Sequence, residues 1–214
     1  MKILNLYACL GGNRYKWGND HEITAVELDP VLCELYKERF QNDTVICTDA
    51  HKYLLNHFQE FDFIWSSPPC PSHSRARFWA SKGGLNKPIY PDMKLYQEII
   101  LLQNYYNGLF CVENVIPFYQ PLIPGKKRGR HIYWTNFAIP EKIDRNFTGV
   151  ISTAKNELKL LSEFHDYDFK KYKGNQRVLK IARNLVDYEA GKSILDAAIY
   201  SFEQRQNKQL TIFS

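Results

Sequence analysis

The stretch Ser66-Ser67-Pro68-Pro69-Cys70-Pro71-Ser72-His73-Ser74 is the most chemically specific part of this 214-residue sequence. Proline fixes its own φ and biases the residue before it toward extended backbone, so a cysteine framed by prolines sits in a rigid turn rather than a helix. A thiol presented that way is a candidate nucleophile, since free cysteine ionises near ~8.5. Cysteine is more often buried and inert, and the proline frame argues against that fate for Cys70. Glu113-Asn114-Val115 closes an apolar run that begins at Cys111. A partly dry carboxyl there favours its protonated form and can carry a proton at neutral pH; the ordinary alternative is a satisfied edge carboxylate. Three further features precede these. Gly11-Gly12 is either a simple turn or a place where a nucleotide-like ligand approaches the backbone. Glu27 can accept bonds from both hydroxyls of a ribose, and Asp49 from an adenine amino group. Taken singly, each acid is as readily a helix cap or a surface charge.

The elements that must position these residues alternate between strand-like and helix-like segments. Residues 2–8, 22–28, 45–47 and 61–66 read as strands, and 31–40 and 50–58 as helices. This rhythm predicts an α/β fold with a doubly wound, mostly parallel twisted sheet and helices on both faces. Glu27, Asp49, Cys70 and Glu113 then fall at carboxyl ends of strands, where open α/β sheets bind ligands. Residues 92–106 resume as a helix, 108–115 and 130–139 as strands, and 187–203 as a helix with an apolar stripe of Ile194, Leu195, Ala198, Ile199 and Phe202. Between 68 and 91, five prolines and two glycines predict an absence of regular structure through most of the segment. Residues 140–180 carry no clear pattern. The expected division is a catalytic and cofactor-binding unit over 1–139, a small basic lobe over 140–180, and a C-terminal helical segment over 181–214 that packs back on the first.

Charge and cysteine usage narrow the function classes. The net charge is +5, but residues 120–183 alone carry +8, so the remainder is −3. The 68–91 segment adds Arg75, Arg77, Lys82 and Lys87, and aromatics lie near both basic zones. This favours contact with a polyanion such as nucleic acid. Five cysteines with no CxxC pair predict neither a disulfide framework nor a zinc knuckle, hence no metal and a reducing, cytoplasmic setting. No apolar run is long enough for a membrane span, and the start lacks the features of a secretory signal. The GxGxxG spacing of dinucleotide enzymes is absent, which disfavours an NAD- or FAD-dependent oxidoreductase.

In order, NLYACLGG, AVELDP, CTDA, SSPPCPSHS, VENV and the later RGR resemble the motifs of the DNA cytosine-5 methyltransferases, over residues 3–136. Some positions depart from the family pattern. The usual Asp-Leu-Phe-Ala-Gly start reads Asn5-Leu6-Tyr7-Ala8-Cys9, and Pro71 stands where glutamine follows the Pro-Cys pair. Lys126-Lys127-Arg128-Gly129-Arg130 keeps two arginines of a Gln-x-Arg-x-Arg element without its glutamine. Arg183-Asn184-Leu185-Val186 is similar to the closing motif, where Gly-Asn is usual.

The resemblance implies transfer of a methyl group from S-adenosylmethionine, leaving S-adenosylhomocysteine, to carbon 5 of cytosine in double-stranded DNA. It implies Cys70 as nucleophile, Glu113 on ring nitrogen 3, and Arg130 and Arg128 on the base carbonyl. Tyr7, Gly11, Glu27 and Asp49 match positions around the adenosine, and Asn184 the methionyl end. Arg75 and Arg77 belong to the expected lid over the extruded base, and Lys170, Lys171 and Lys173 to the basic lobe on phosphates. The few residues between Phe137 and Arg183 leave no room for a full recognition domain. They imply a short or relaxed sequence preference, or help from a partner chain or self-association. A catalytically silent subunit of a two-chain enzyme and an RNA cytosine-5 methyltransferase are the competing readings. A restriction-modification partner, phage self-protection and an orphan role are all open, in a bacterium or a phage.

Overall fold

The structure, a computed structural model, describes residues 1–143 and 156–212. Its first half follows the expected alternation: β1 (Lys2–Leu6), β2 (Glu22–Glu27), α1 (Pro30–Arg39), β3 (Thr44–Cys47), α2 (Ala50–His57) and β4 (Phe63–Ser66). Then come α3 (Arg75–Lys82), α4 (Lys94–Tyr105), β5 (Leu109–Val115), β6 (Lys126–Arg128) and β7 (His131–Thr135). The chain continues through α5 (Glu157–His165), α6 (Val178–Asn184) and α7 (Tyr188–Ile212). The strands form one seven-stranded sheet in the order β3-β2-β1-β4-β5-β7-β6. The first five are parallel, and β7 and β6 add antiparallel at one edge. This is the Rossmann-like α/β arrangement predicted.

Period-two alternation along the strands divides the core into two layers. Ile3, Ile23, Phe63, Trp65, Leu109, Cys111 and Tyr133 face α7, which supplies Ala190, Ile194, Leu195 and Ala198. Leu4, Leu6, Val26, Ile64, Phe110, Val112 and Trp134 face the other way, onto α2 and α4 through Leu54, Leu95, Ile99 and Leu102. Burial on both faces explains why FDFIWS and GLFCVENV read as apolar runs rather than alternating strands. A smaller cluster joins Leu161, Phe169, Tyr172, Ile181 and Leu185 to Leu10, Leu32 and Leu35, seating α5 and α6 beside α1.

Four expectations change. The 68–91 segment holds a helix, α3, because the prolines and glycines bracket a clear window from Ser72 to Lys82 and the Ser74 hydroxyl caps Arg77 N–H. The predicted 130–139 strand is shorter and belongs to a hairpin: β6 pairs with β7 across a turn at Gly129, whose φ is +53°. It ends at Asn136, whose side chain bonds the Phe110 N–H and the Gly108 carbonyl. The first strand stops at Leu6 rather than residue 8, because Tyr7 turns left-handed at φ 57°. The C-terminal helix runs on to Ile212. Of the unpatterned 140–180 region, residues 144–155 lie outside the described residues, and the rest contributes α5, a 3-10 turn (Phe169–Lys171) and the start of α6. Among the described residues no helix is long and apolar enough to cross a membrane.

Helix α7 crosses the turn after β1 at Gly191. A Cβ there would lie 2.2 Å from the Asn13 carbonyl oxygen, and the Gly191 carbonyl accepts the Trp17 indole N–H at 3.0 Å. Gly191→Ala should therefore lower unfolding free energy by about 1–3 kcal/mol through overpacking. Urea denaturation will show this as a lower midpoint at unchanged slope, with Lys192→Ala, on the exposed side of the same helix, near wild type.

Candidate active site

A cavity of about 880 Å³ opens at the carboxyl ends of β1, β2, β4 and β5. Tyr7, Glu27, Asp49, Cys70, Glu113, Arg130 and Asn184 all line it, so seven of the residues singled out from the sequence meet in one place.

The Cys70 loop is positioned by sheet register. β4 and β5 are parallel with Ser66 beside Val112, so the chain leaving β4 runs alongside Glu113-Asn114. Buried Asn114 donates from Nδ2 to the Pro68 carbonyl at 2.9 Å, clamping the proline turn to β5. The Cys70 carbonyl accepts from the His73 and Ser74 N–H groups, both at 3.0 Å. From the far side, Phe118 N–H donates to the His73 carbonyl, and Asp92 N–H donates to Ser72 Oγ. Burial pushes the Cys70 thiol up to about 11; the Glu113 charge pushes the same way and Lys180 opposes it. Glu113 is itself buried, opposite Tyr133 of β7, with His131 Nε2 3.6 Å from its Oε1. Thiol and carboxyl therefore sit close enough to act electrostatically on one another in one cavity.

At the other end of the cavity the carboxylates are held by backbone donors. Glu27 accepts Cys9 N–H on Oε2 and the Leu28 and Asp29 N–H groups on Oε1, all at 2.9 Å. A carboxylate offers about four acceptor positions, so three bonds fix its orientation and leave one for a ligand. Reaching Glu27 requires the loop after β1 to turn left-handed at Tyr7 and again at Cys9 (φ 50°), conformations uncommon for non-glycine residues and concentrated at functional sites. Asp49 caps α2 through the Lys52 N–H at 2.9 Å, and that bond holds its carboxyl below the usual range. It serves as a cap and a cavity wall together. Acceptors at the ends of β2 and β3, with Leu28 and Ala50 beside them, match the hydroxyls, amino group and flat apolar ring of an adenosine.

Sequence reasoning missed several residues. Glu98 of α4 has no exposed surface, yet it accepts from Tyr7 OH and Ser66 Oγ at 2.6 Å each and pairs with His51 Nδ1 at 3.0 Å. Tyr7 and His51 both line the cavity. The signal was present: Glu98 interrupts the apolar stripe Leu95, Ile99, Leu102, and an acid on a buried helix face needs partners. Buried Asn5 and Asn13 pair through their side-chain amides, which explains a neutral residue where the family pattern has aspartate. Lys180 lines the cavity, and Arg183 makes a bidentate pair with buried Glu157 at 2.6 Å.

Other expected site residues stand apart from the cavity. Gly11 is packed behind it; a Cβ there would meet the rings of Phe40 and Tyr36, and its neighbour Gly12 forms the wall instead. Arg128 turns away, donating from Nε to the Pro140 carbonyl at 2.6 Å; it ends β6, and the left-handed turn at Gly129 separates its direction from that of Arg130. Arg75 and Arg77 lie on α3, Arg75 donating to the Pro117 carbonyl and Arg77 lining a groove against Phe78 and Phe118. Lys170, Lys171 and Lys173 are exposed at and after the 3-10 turn. The described residues contain no group of three metal-ligating side chains.

The chain belongs to the C-5 cytosine-specific DNA methylases, whose family model matches residues 1–120. It is accordingly a DNA cytosine methyltransferase with S-adenosylmethionine as methyl donor, and the cavity's acceptor set fits that cofactor. No curated protein matches the sequence. Similar solved structures include a hypothetical protein of Thermus thermophilus (19% identity, 63% of this chain and 73% of that one, TM-score 0.40). A mutant of Spodoptera frugiperda DNMT2 has 25% identity over 53% of this chain and 35% of its own, TM-score 0.38. A TehB-like SAM-dependent methyltransferase of Corynebacterium glutamicum has 18% identity over 53% and 54%, TM-score 0.33.

Two outcomes follow from the site. Glu98→Ala takes the acceptor from the Tyr7 and Ser66 hydroxyls and the partner from His51, and should cost about 3 kcal/mol of stability, read by chemical denaturation, and weaken S-adenosylhomocysteine binding by calorimetry. Because thiolate is the reactive form, iodoacetamide should modify Cys70 slowly at pH 7 in the free protein. The rate should rise about tenfold per pH unit and level off near pH 11.

Proposed function

We propose that the chain methylates cytosine through a covalent bond between Cys70 Sγ and ring carbon 6. The observation that carries this is the placement of Cys70 and Glu113 as mutually interacting groups on one cavity wall, beside the acceptor set at Glu27 and Asp49. Carbon 5 of cytosine is a poor nucleophile. Addition of the Cys70 thiolate to carbon 6 moves an electron pair onto the ring, and Glu113 delivers a proton to, or holds one on, ring nitrogen 3 as charge gathers there. Arg130, the arginine of the pair that reaches the cavity, bonds the base carbonyl. S-adenosylmethionine, when bound, would supply a methyl group on a positive sulfonium, and carbon 5 would take it as the methyl–sulfur bond breaks and neutral S-adenosylhomocysteine leaves. A base then takes the carbon-5 proton, the electron pair re-forms the ring double bond, the carbon 6–sulfur bond breaks to return thiolate, and the nitrogen-3 proton goes back to Glu113.

Glu27 and Asp49 hold the adenosine, Tyr7 packs beside it, and Asn184 with Gly12 borders the methionyl end. Lys180 favours the thiolate by its charge. The target is a cytosine of duplex DNA turned out of the stack, since the reacting atoms are otherwise covered. Residues 140–180 serve as a minimal recognition lobe with Lys170, Lys171 and Lys173 on phosphates, and the lone chain reads a short or relaxed site or gains recognition from a partner chain or its own association.

Duplex DNA carrying 5-fluorocytosine, which blocks the final proton loss, should trap a covalent adduct with wild type and none with Cys70→Ser on denaturing gels. Glu113→Gln should lower kcat by about 10²–10⁴-fold with little change in S-adenosylhomocysteine affinity. Adduct formation by Cys70→Ser would overturn the assignment.

A further inference from the structure

Helix α3 leaves a solvent stripe that neither packing nor the site explains. Arg75, Trp79 and Lys82 follow one another at i, i+4 and i+7, so they share one face of the helix. Trp79 is 66% exposed, whereas Trp17, Trp65 and Trp134 are 4%, 0% and 2% exposed. An indole is rarely left so open in a folded chain without a use. Just beyond it, Tyr90 is 95% exposed. From Ser74 to Pro91 the chain has four cations and no acid. Arg75 is anchored by its Nε on the Pro117 carbonyl at 3.1 Å. The stripe starts five residues after Cys70, and Pro71 lines both the active-site cavity and the groove beneath α3.

Cations and open aromatic faces in alternation form the surface that binds unpaired nucleic-acid strands: charge tracks phosphates, and each ring takes a base. In a duplex, both faces of every paired base are covered by neighbours, so an exposed indole gains stacking only from a base already open. We infer that the exposed face of α3 binds the unpaired strand flanking the target, with Trp79 stacked on a base and Arg75, Lys82 and Lys87 on its phosphates. The enzyme therefore prefers cytosines in locally unpaired DNA, such as a bubble or mismatch, where extrusion costs least. This rests on the proposed methyl transfer to DNA and specifies the substrate within it.

The test uses the full chain and three probes sharing one sequence: a paired duplex, the same duplex with a small bubble at the target cytosine, and the single strand. With the other tryptophans buried, bubble and single strand should quench intrinsic fluorescence strongly and bind more tightly than the paired duplex. Trp79→Ala should lower bubble affinity about tenfold and abolish the quench, with Trp79→Phe retaining part of the affinity. Paired-duplex affinity should change little. Equal affinity of Trp79→Ala and wild type for the bubble, or tighter binding of the paired duplex, would overturn the inference. 5-Fluorocytosine adducts on the same probes separate the two claims. An adduct with no dependence on Trp79 sinks this inference alone, and no adduct on any probe sinks the methyl-transfer reading beneath it.

Discussion

One hydrogen bond between neighbouring strand ends organises the reactive half of this protein. Asn114 Nδ2 to the Pro68 carbonyl ties the turn after β4 to β5, and parallel register has already brought the two ends level. Without that bond a proline-rich turn has no ladder hydrogen bonds to hold it, because proline donates none. With it, the thiol and the neighbouring carboxyl share a wall although more than forty residues separate them in the chain. Contacts from Phe118 and Asp92 brace the turn from its other side, so Cys70 sits on a supported turn. Preorganisation of this kind is what positioning chemistry needs, since small displacements are costly in rate.

The cavity also concentrates acids that would repel one another if left loose. Glu27 has backbone N–H donors and Asp49 a helix N-terminus, while Glu98, beneath the lining residues Tyr7 and His51, accepts from two hydroxyls and pairs with the His51 imidazole. Asn5 in place of an acid adds no further charge and pairs with Asn13. Against this background the half-buried Cys70 thiol, its pKa pushed up to about 11, stays protonated at neutral pH in the free protein. Lys180 and Arg130, two of the cations lining the cavity, come from α6 and the β6–β7 turn, outside the βα units that supply Glu27 and Asp49. The cavity thus has an acidic end at Glu27 and Asp49 and a mixed-charge end at Cys70 and Glu113.

The sheet was legible because its strands are buried on both faces and appear as short apolar runs between turn residues. Cys70 and Glu113 were legible because proline framing and strand-end placement are local properties. Helix α3 was obscured because proline density was averaged over a long segment, while the helix needed only a short clear window and a serine cap. Gly11 and Arg128 illustrate a different limit. Which of two adjacent glycines lines the cavity, and which of two nearby arginines does, depends on the direction of the backbone at that point: Gly11 has φ +67°, and the turn at Gly129 (φ +53°) separates Arg128 of β6 from Arg130.

Residue order by itself determined the βα alternation, the chemical types at the strand ends and the presence of a rigid thiol, since each follows from backbone preferences and burial over a few neighbours. Tertiary structure alone decided which of those residues meet. It set Glu98 beneath Tyr7 and His51, placed Lys180 near Cys70, turned Arg128 outward and left Trp79 in solvent. These are distances between segments remote in the chain, and they come from sheet register and helix packing, which local preferences do not encode.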